Sequence, residues 1–362
     1  MRRILLLILL LMLFVNKVHA ADLIDQQADR FGVGELEKNL PSAASTYLDE
    51  VTYEGLDFTE GVSEIISGTL SQSGGYIHAS VSLLLKILLI LILCRLAATG
   101  DHPVSGKAIT MAGVLAMTVC CASDLRSMIG LGKQTMQEMM DFSTLLLPVM
   151  ASTAAASGAA ASASVLYGIA VLFSKILVGF SGKVMIPAIY AYLALGVADG
   201  AMGEAKLLKL REFLGWLIKW GLKAVMYLFT GYMAVSGLLS GHVDATALKA
   251  AKVTVSGMVP VVGGIISDAA ETVLYSAGLL KGAVGTFGML AVFAVFASPF
   301  LKMGLHYLSF KLTAALGGVL GSSLCGFMDC ITQTMGYLLA MLGSCALMCW
   351  ISCCCFMKAV GL

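Results

Sequence analysis

His242 and Asp244 stand two positions apart in GHVDA at 241–245, and Asp268 and Glu271 three apart in SDAAE at 267–271. In a chain this apolar, paired ionisable side chains are where chemistry is sought first. His242 with Asp244 reads as a small polar site at an outer mouth, or as the cap of the next helix. Asp268 with Glu271 reads as an ion-binding pair, or as the cap of the helix that follows. Just upstream, residues 253–266 are apolar for only fourteen positions and are interrupted by Pro260, Gly263 and Gly264. That length suits a re-entrant or broken segment better than a span. The proline removes an N–H and the glycines permit a non-helical turn.

No catalytic constellation accompanies these pairs. His19, His78, His102, His242 and His306 are scattered and single. Neither a zinc-protease HExxH nor a nucleophile elbow is present. GLGKQT at 130–135 has the outline of a phosphate loop but fails it, with Ser127 at the first glycine position and Gln134 after the lysine. The ten cysteines lie in or beside apolar runs, where a thiol behaves as a small hydrophobe. Cys353, Cys354 and Cys355 point to different faces of a helix and so make a poor metal site. The expectation is a protein with no enzymatic activity, cofactor or metal. Work against a gradient then has to be powered by a partner or by ion flow.

What positions these residues is a membrane. The chain is 59% hydrophobic and 12% charged, with a mean hydropathy of +0.91. A soluble domain carries about 25% charged residues. The net charge of +1 says nothing about nucleic acid, but no basic stripe is interleaved with aromatics, and no nucleic-acid partner is expected. Arg2 and Arg3, the apolar run 4–15 and the small residues up to Ala20 read as a secretory signal cut after Ala20, or as an uncleaved anchor. Either way the next segment starts outside the cytoplasm. Residues 22–75 hold eleven of the 22 acidic residues against Arg30 and Lys38 alone. Apolar positions there recur at helical spacing, and Asp57 with Glu60 is spaced like a capping box. This predicts a small acidic, helical extracytoplasmic region, either a solvated leader or a docking surface.

From Ser80 the spans begin. Residues 80–98 form the first, with Lys86 and Arg95 placed to snorkel. A short second span covers 109–123, and 124–141 reads as an amphipathic, surface-lying stretch carrying Met128, Ile129, Met136 and Met139. Between Asp141 and Lys175 no residue is charged over thirty-three positions. As one helix that run is about 50 Å long, against a hydrocarbon core of about 30 Å. At its middle lies ASTAAASGAAASAS, 151–164, built only from Ala, Ser, Thr and Gly. Two short helices meeting in this block put the basic stretch 203–223 (Lys206, Lys209, Arg211, Lys219 and Lys223 against Glu204 and Glu212) in the cytoplasm, as the positive-inside rule asks. The block then reads as a close packing seam around Gly158 at a broken hairpin, with a flexible linker as the alternative. Further spans follow at 184–197, 224–240, 282–300, 312–327 and 331–357. The fold class is all-α, a polytopic transmembrane helix bundle of about seven to nine spans, some broken or re-entrant. Its expected division is a signal peptide at 1–20, the acidic region at 21–78 and the transmembrane domain at 79–362.

Taken together, the leader, the acidic exported stretch, the small-residue block and above all GHVDATALKAAKVTVSGMVPVVGGIISDAAETVLYSAGLLK at 241–281 resemble the stage III sporulation protein AE family of endospore-forming bacteria. The resemblance extends over nearly the whole mature chain. It brings no catalytic residues. It implies a permease-like subunit of the secretion-like channel joining mother cell and forespore, in the mother-cell membrane around the forespore. It also implies partners: other stage III sporulation membrane proteins, including a secretion-type ATPase and ring-forming subunits, and a forespore-membrane protein. Three roles stay open: a conducting or gating subunit, a membrane scaffold that conducts nothing, and an independent ion-coupled transporter. A polar path through the bundle favours the first and third, a dry bundle the second.

Overall fold

The computed structural model describes residues 31–48, 57–99, 106–202, 207–258, 263–319 and 324–359; for 37, 43, 99, 236–258 and 263–278 it describes the backbone alone. The described residues contain no strand. Among the described residues three short helices come first: α1 (Val33–Lys38), α2 (Ser42–Leu48) and α3 (Phe58–Ser71). Seven longer ones follow: α4 (Gly74–Thr99), α5 (Gly106–Ala154), α6 (Ala160–Phe180), α7 (Ile186–Met202), α8 (Leu208–Met258), α9 (Gly263–Val319) and α10 (Cys325–Lys358). The expected signal at 1–20 and Pro260 lie outside the described residues.

Helix length is the main departure from the sequence reading. Helix α5 has 49 residues, which at 1.5 Å per residue makes a rod about 74 Å long. Residues 109–123, expected as a span, and 124–141, expected to lie on a surface, are parts of this one helix. Met128, Ile129, Met136 and Met139 continue a stripe that runs to Met150 and is buried against the bundle. A 3.6-residue period marks an apolar face but not what covers it. Likewise 253–266 is no single element: α8 continues to Met258 and α9 begins at Gly263. Four stretches of described helix are long and apolar enough to cross a membrane: Gly74–Ala98, Gly106–Met202, Leu279–Val319 and Cys325–Lys358.

The second of these stretches reverses at Gly158 and so contains two arms. Gly158 has φ 96° and ψ 8°, a left-handed conformation that costs an L side chain about 1–2 kcal/mol and glycine nothing. Helices α5 and α6 then pack against each other, and the wide turn Ala155–Ala159 between them packs on α9. Thr153, Ala154, Ala159, Ser162 and Ala163 are buried, which such close approach of backbones requires. Hydroxyls in the block bond back to nearby carbonyls, Ser152 to Val149 at 2.9 Å and Ser157 to Ala154 at 2.8 Å. The small-residue block is therefore a helical hairpin and not a flexible linker. A second wide turn, Ser181–Met185, joins α6 to α7 without reversal; Pro187 lies two residues beyond and lacks the N–H that a regular turn needs.

The core lies along α9 and α10, whose facing sides bury Phe287, Leu290, Met328, Met335 and Phe356. Polar ties fix the register: Lys281 Nζ donates to the Ala359 carbonyl at 2.8 Å, and Ser80 Oγ pairs with His306 Nδ1 at 3.2 Å. Helix α4 runs along α9 with Leu85, Leu89, Leu93 and Leu96 exposed, and with Lys86 and Arg95 exposed beside them. At the N-terminus Asp57 caps α3 as expected, accepting from the Thr59 N–H at 2.7 Å. Helix α1 packs on α5, and α2 and α3 pack on α9.

Candidate functional site

Helices α7, α8 and α10 converge on a polar seam. Asp199 on α7 is buried, at 8% exposure. Its Oδ1 accepts from the Leu207 N–H at 2.8 Å and pins the entry to α8. Its Oδ2 is buried without a hydrogen-bond partner. Two turns back along α7, the Tyr192 hydroxyl donates to Gln333 Oε1 of α10 at 2.9 Å. Tyr337, one turn from Gln333, donates to the same oxygen at 3.3 Å. The two tyrosine rings meet edge to face, with centroids 5.3 Å apart.

Helix α8 supplies cations. The Arg211 guanidinium lies 5.9 Å from the centre of the Tyr192 ring, and Lys219 Nζ 5.7 Å from that of Tyr337. Both distances allow a cation–π attraction. Arg211, Gly215, Ile218 and Leu222 follow helical spacing along the face turned to the bundle. Phe213, Trp216 and Trp220 follow it along the opposite, exposed face, stacked with centroids 6.0 and 5.7 Å apart. This part of α8 exposes its aromatic residues together with Lys209, Lys219 and Lys223, and turns Arg211 with the apolar Ile218 and Leu222 toward the bundle.

Two glycines permit the convergence. A Cβ at Gly215 would lie 2.5 Å from the Tyr337 hydroxyl, and one at Gly196 would strike Cys330 Sγ. Gln333 and Lys219 are themselves exposed, so the seam opens on one side of the bundle. An amide acceptor, two phenols, a carboxylate and two cations thus lie along one seam. Nothing here resembles a nucleophile with its base.

The residues singled out from sequence lie elsewhere. Gly158 forms the α5–α6 turn. His242 and Asp244 are in the interior of α8, where no helix begins for them to cap. Gly263 and Gly264 open α9, while Asp268 and Glu271 lie beyond its first turn, so the cap expected of them has no helix start to serve. Among the described residues no group of three His, Cys, Asp or Glu is placed to hold a metal ion. Cys353 is buried, Cys354 exposed and Cys355 half-buried, in keeping with their helical spacing.

Sequence reasoning passed over Asp199, Tyr192 and Gln333. One signal was available: Asp199 ends an otherwise uncharged run from 184, and an ionisable residue in such a run marks a site by default. Their pairing was not available, because Tyr192 and Gln333 are separated by 141 positions.

No solved structure matches the chain. The stage III sporulation protein AE of Bacillus subtilis (strain 168) is 27% identical over 224 residues, covering 60% of this chain and 55% of that protein. The chain thus matches about half the length of this curated relative. The model of the stage III sporulation protein AE family matches residues 44–359, from within α2 to the end of α10, and on that match the chain belongs to the stage III sporulation protein AE family.

Proposed function

We propose that this chain is the conducting or gating membrane subunit of a secretion-like complex between mother cell and forespore, and that the seam lines part of its polar path. The carrying observation is Arg211 on the bundle-facing side of α8, beside Tyr192 of α7, with Trp216 and Trp220 on the exposed side. Cations and amides at membrane depth are costly against lipid and tolerable beside water or protein. The chain itself has no enzymatic role in this reading. Its power comes from partners: a secretion-type ATPase, ring-forming subunits and a protein of the forespore membrane. Its place is the mother-cell membrane around the forespore, crossed several times.

The rods support one sidedness. With α1–α3 outside, α4 runs inward, α5 outward, and α6 with α7 inward again. The start of α8, with Lys209, then lies at the cytoplasmic side, as a basic residue there favours. One crossing is lost from each arm of the Gly158 hairpin relative to the sequence reading, so the parity is unchanged. A phosphatase fused at Lys209 should be inactive and a cytoplasmic reporter at the same place active.

A non-conducting scaffold is the second reading. It is favoured by Ile66 and Leu70, exposed one turn apart on α3 and free to dock a partner. A Gln333→Cys variant in a cysteine-free background separates the two. Reaction with a hydrophilic, membrane-impermeant thiol reagent, with loss of late forespore gene expression on labelling, supports the conducting reading. Absence of labelling in folded protein means a dry seam and leaves the scaffold.

A further inference from the structure

On the far side of α7 from the seam, α5, α7 and α10 enclose a crevice of about 480 Å³. Its walls are apolar, with Cys121, Leu125, Leu193, Val197, Phe327 and Ile331 among them. One end is different. Gly200 of α7 lies against Val114 of α5, so that Tyr190, ten residues back along α7, falls toward the Arg126 end of the crevice; both side chains are exposed. Arg126 makes no hydrogen bond or ion pair among the described residues. The volume lies within the range of ligand pockets, about 300–1,000 Å³.

Depth decides what fits. The uncharged run of α5 between Lys107 and Asp124 rises about 24 Å, so Arg126 emerges just past its end, at the level of headgroups. From Ile129 back to Thr118, the limits of the crevice on α5, is about 16 Å, close to half of a 30 Å hydrocarbon core. The cleft is therefore one leaflet deep, cationic at the headgroup end and apolar toward the middle of the membrane. We propose that it holds one acyl chain of an anionic phospholipid, with the phosphate against Arg126 and Tyr190. The guanidinium supplies the charge complement and the phenol a donor to a phosphate oxygen. A phospholipid here would bridge α5 to α7 beside the seam.

The full chain, reconstituted in vesicles of equimolar phosphatidylcholine and phosphatidylglycerol and extracted in mild detergent, gives a direct measure. Wild-type protein is expected to retain phosphatidylglycerol over phosphatidylcholine by about fivefold, the worth of one cation near an anionic lipid. Arg126→Gln should abolish that preference, and Leu193→Trp, which fills the crevice, should release lipid of both kinds. Equal retention of the two lipids by wild type overturns the proposal, as does undiminished retention by Leu193→Trp protein that elutes as wild type. Should Leu193→Trp fail to fold, Arg126→Gln decides alone: its side chain is exposed, so an unchanged preference in this variant also overturns the site.

Discussion

The Tyr192 hydroxyl and Gln333 Oε1 meet at 2.9 Å between α7 and α10, and Tyr337 shares the same acceptor. Two phenols therefore depend on one amide. Gln333→Leu strands both and should lower stability by about 1–3 kcal/mol, the cost of leaving buried donors unmade. Tyr192→Phe removes only a donor and should cost about 0.5–1.5 kcal/mol. In a Tyr192→Phe, Tyr337→Phe background, Gln333→Leu should be nearly neutral. Thermal unfolding in detergent reads this cycle, and additive costs would mean that the three groups do not act as a unit.

Gly158 offers a conformational test. Its left-handed φ makes the order Gly, Asn, Ala, Leu the expected order of tolerance, with Ala costing about 1–2 kcal/mol and Asn less. Leu adds bulk where α5, α6 and α9 close on one another. Folded protein recovered from membranes measures it. Equal recovery of all four would return the block to a flexible linker.

Parts of this structure are legible in the sequence because they are local. The Asp57 cap, the small-residue hairpin and the acidic N-terminal helices rest on residues within a few positions of each other. The long rods are not legible in the same way. Met128, Ile129, Met136 and Met139 would look identical on a helix lying on a membrane and on one buried in a bundle. Charges at 124–141 and the glycines Gly130 and Gly132 suggest a boundary, yet the helix runs through them, carried by tertiary packing. The seam is still less legible, since Asp199, Arg211 and Gln333 come from three helices and share no spacing.

Asp268 shows how placement changes an expectation. A cap would lose stability on substitution by Ala and regain it with Ser or Asn. Because α9 starts at Gly263, Asp268 lies in its second turn and has no free N–H groups to receive. Asp268→Ala and Asp268→Ser should therefore accumulate alike, at wild-type levels. Loss with Ala and recovery with Ser, scored by immunoblot, would move the start of α9 to Asp268.

Asp199 carries the sharpest test of the seam. Its two carboxylate oxygens are not equivalent: Oδ1 holds the Leu207 N–H, and Oδ2 is buried with no partner. An Asn side chain keeps an acceptor for Leu207 and removes the charge. If Asp199 only ties α7 to α8, Asp199→Asn should accumulate and work as wild type, and only Asp199→Ala should fail. If the charge serves the polar path beside Arg211, Asp199→Asn should accumulate normally yet lose late forespore gene expression. The second outcome is expected, because a buried carboxylate oxygen without a donor is costly and an amide would make the same tie without that charge. Arg211→Gln, which keeps a polar group near Tyr192 without the cation, should show the same split between protein level and activity. Normal expression in both Asn and Gln variants would leave the seam a packing feature and remove the observation on which conduction rests.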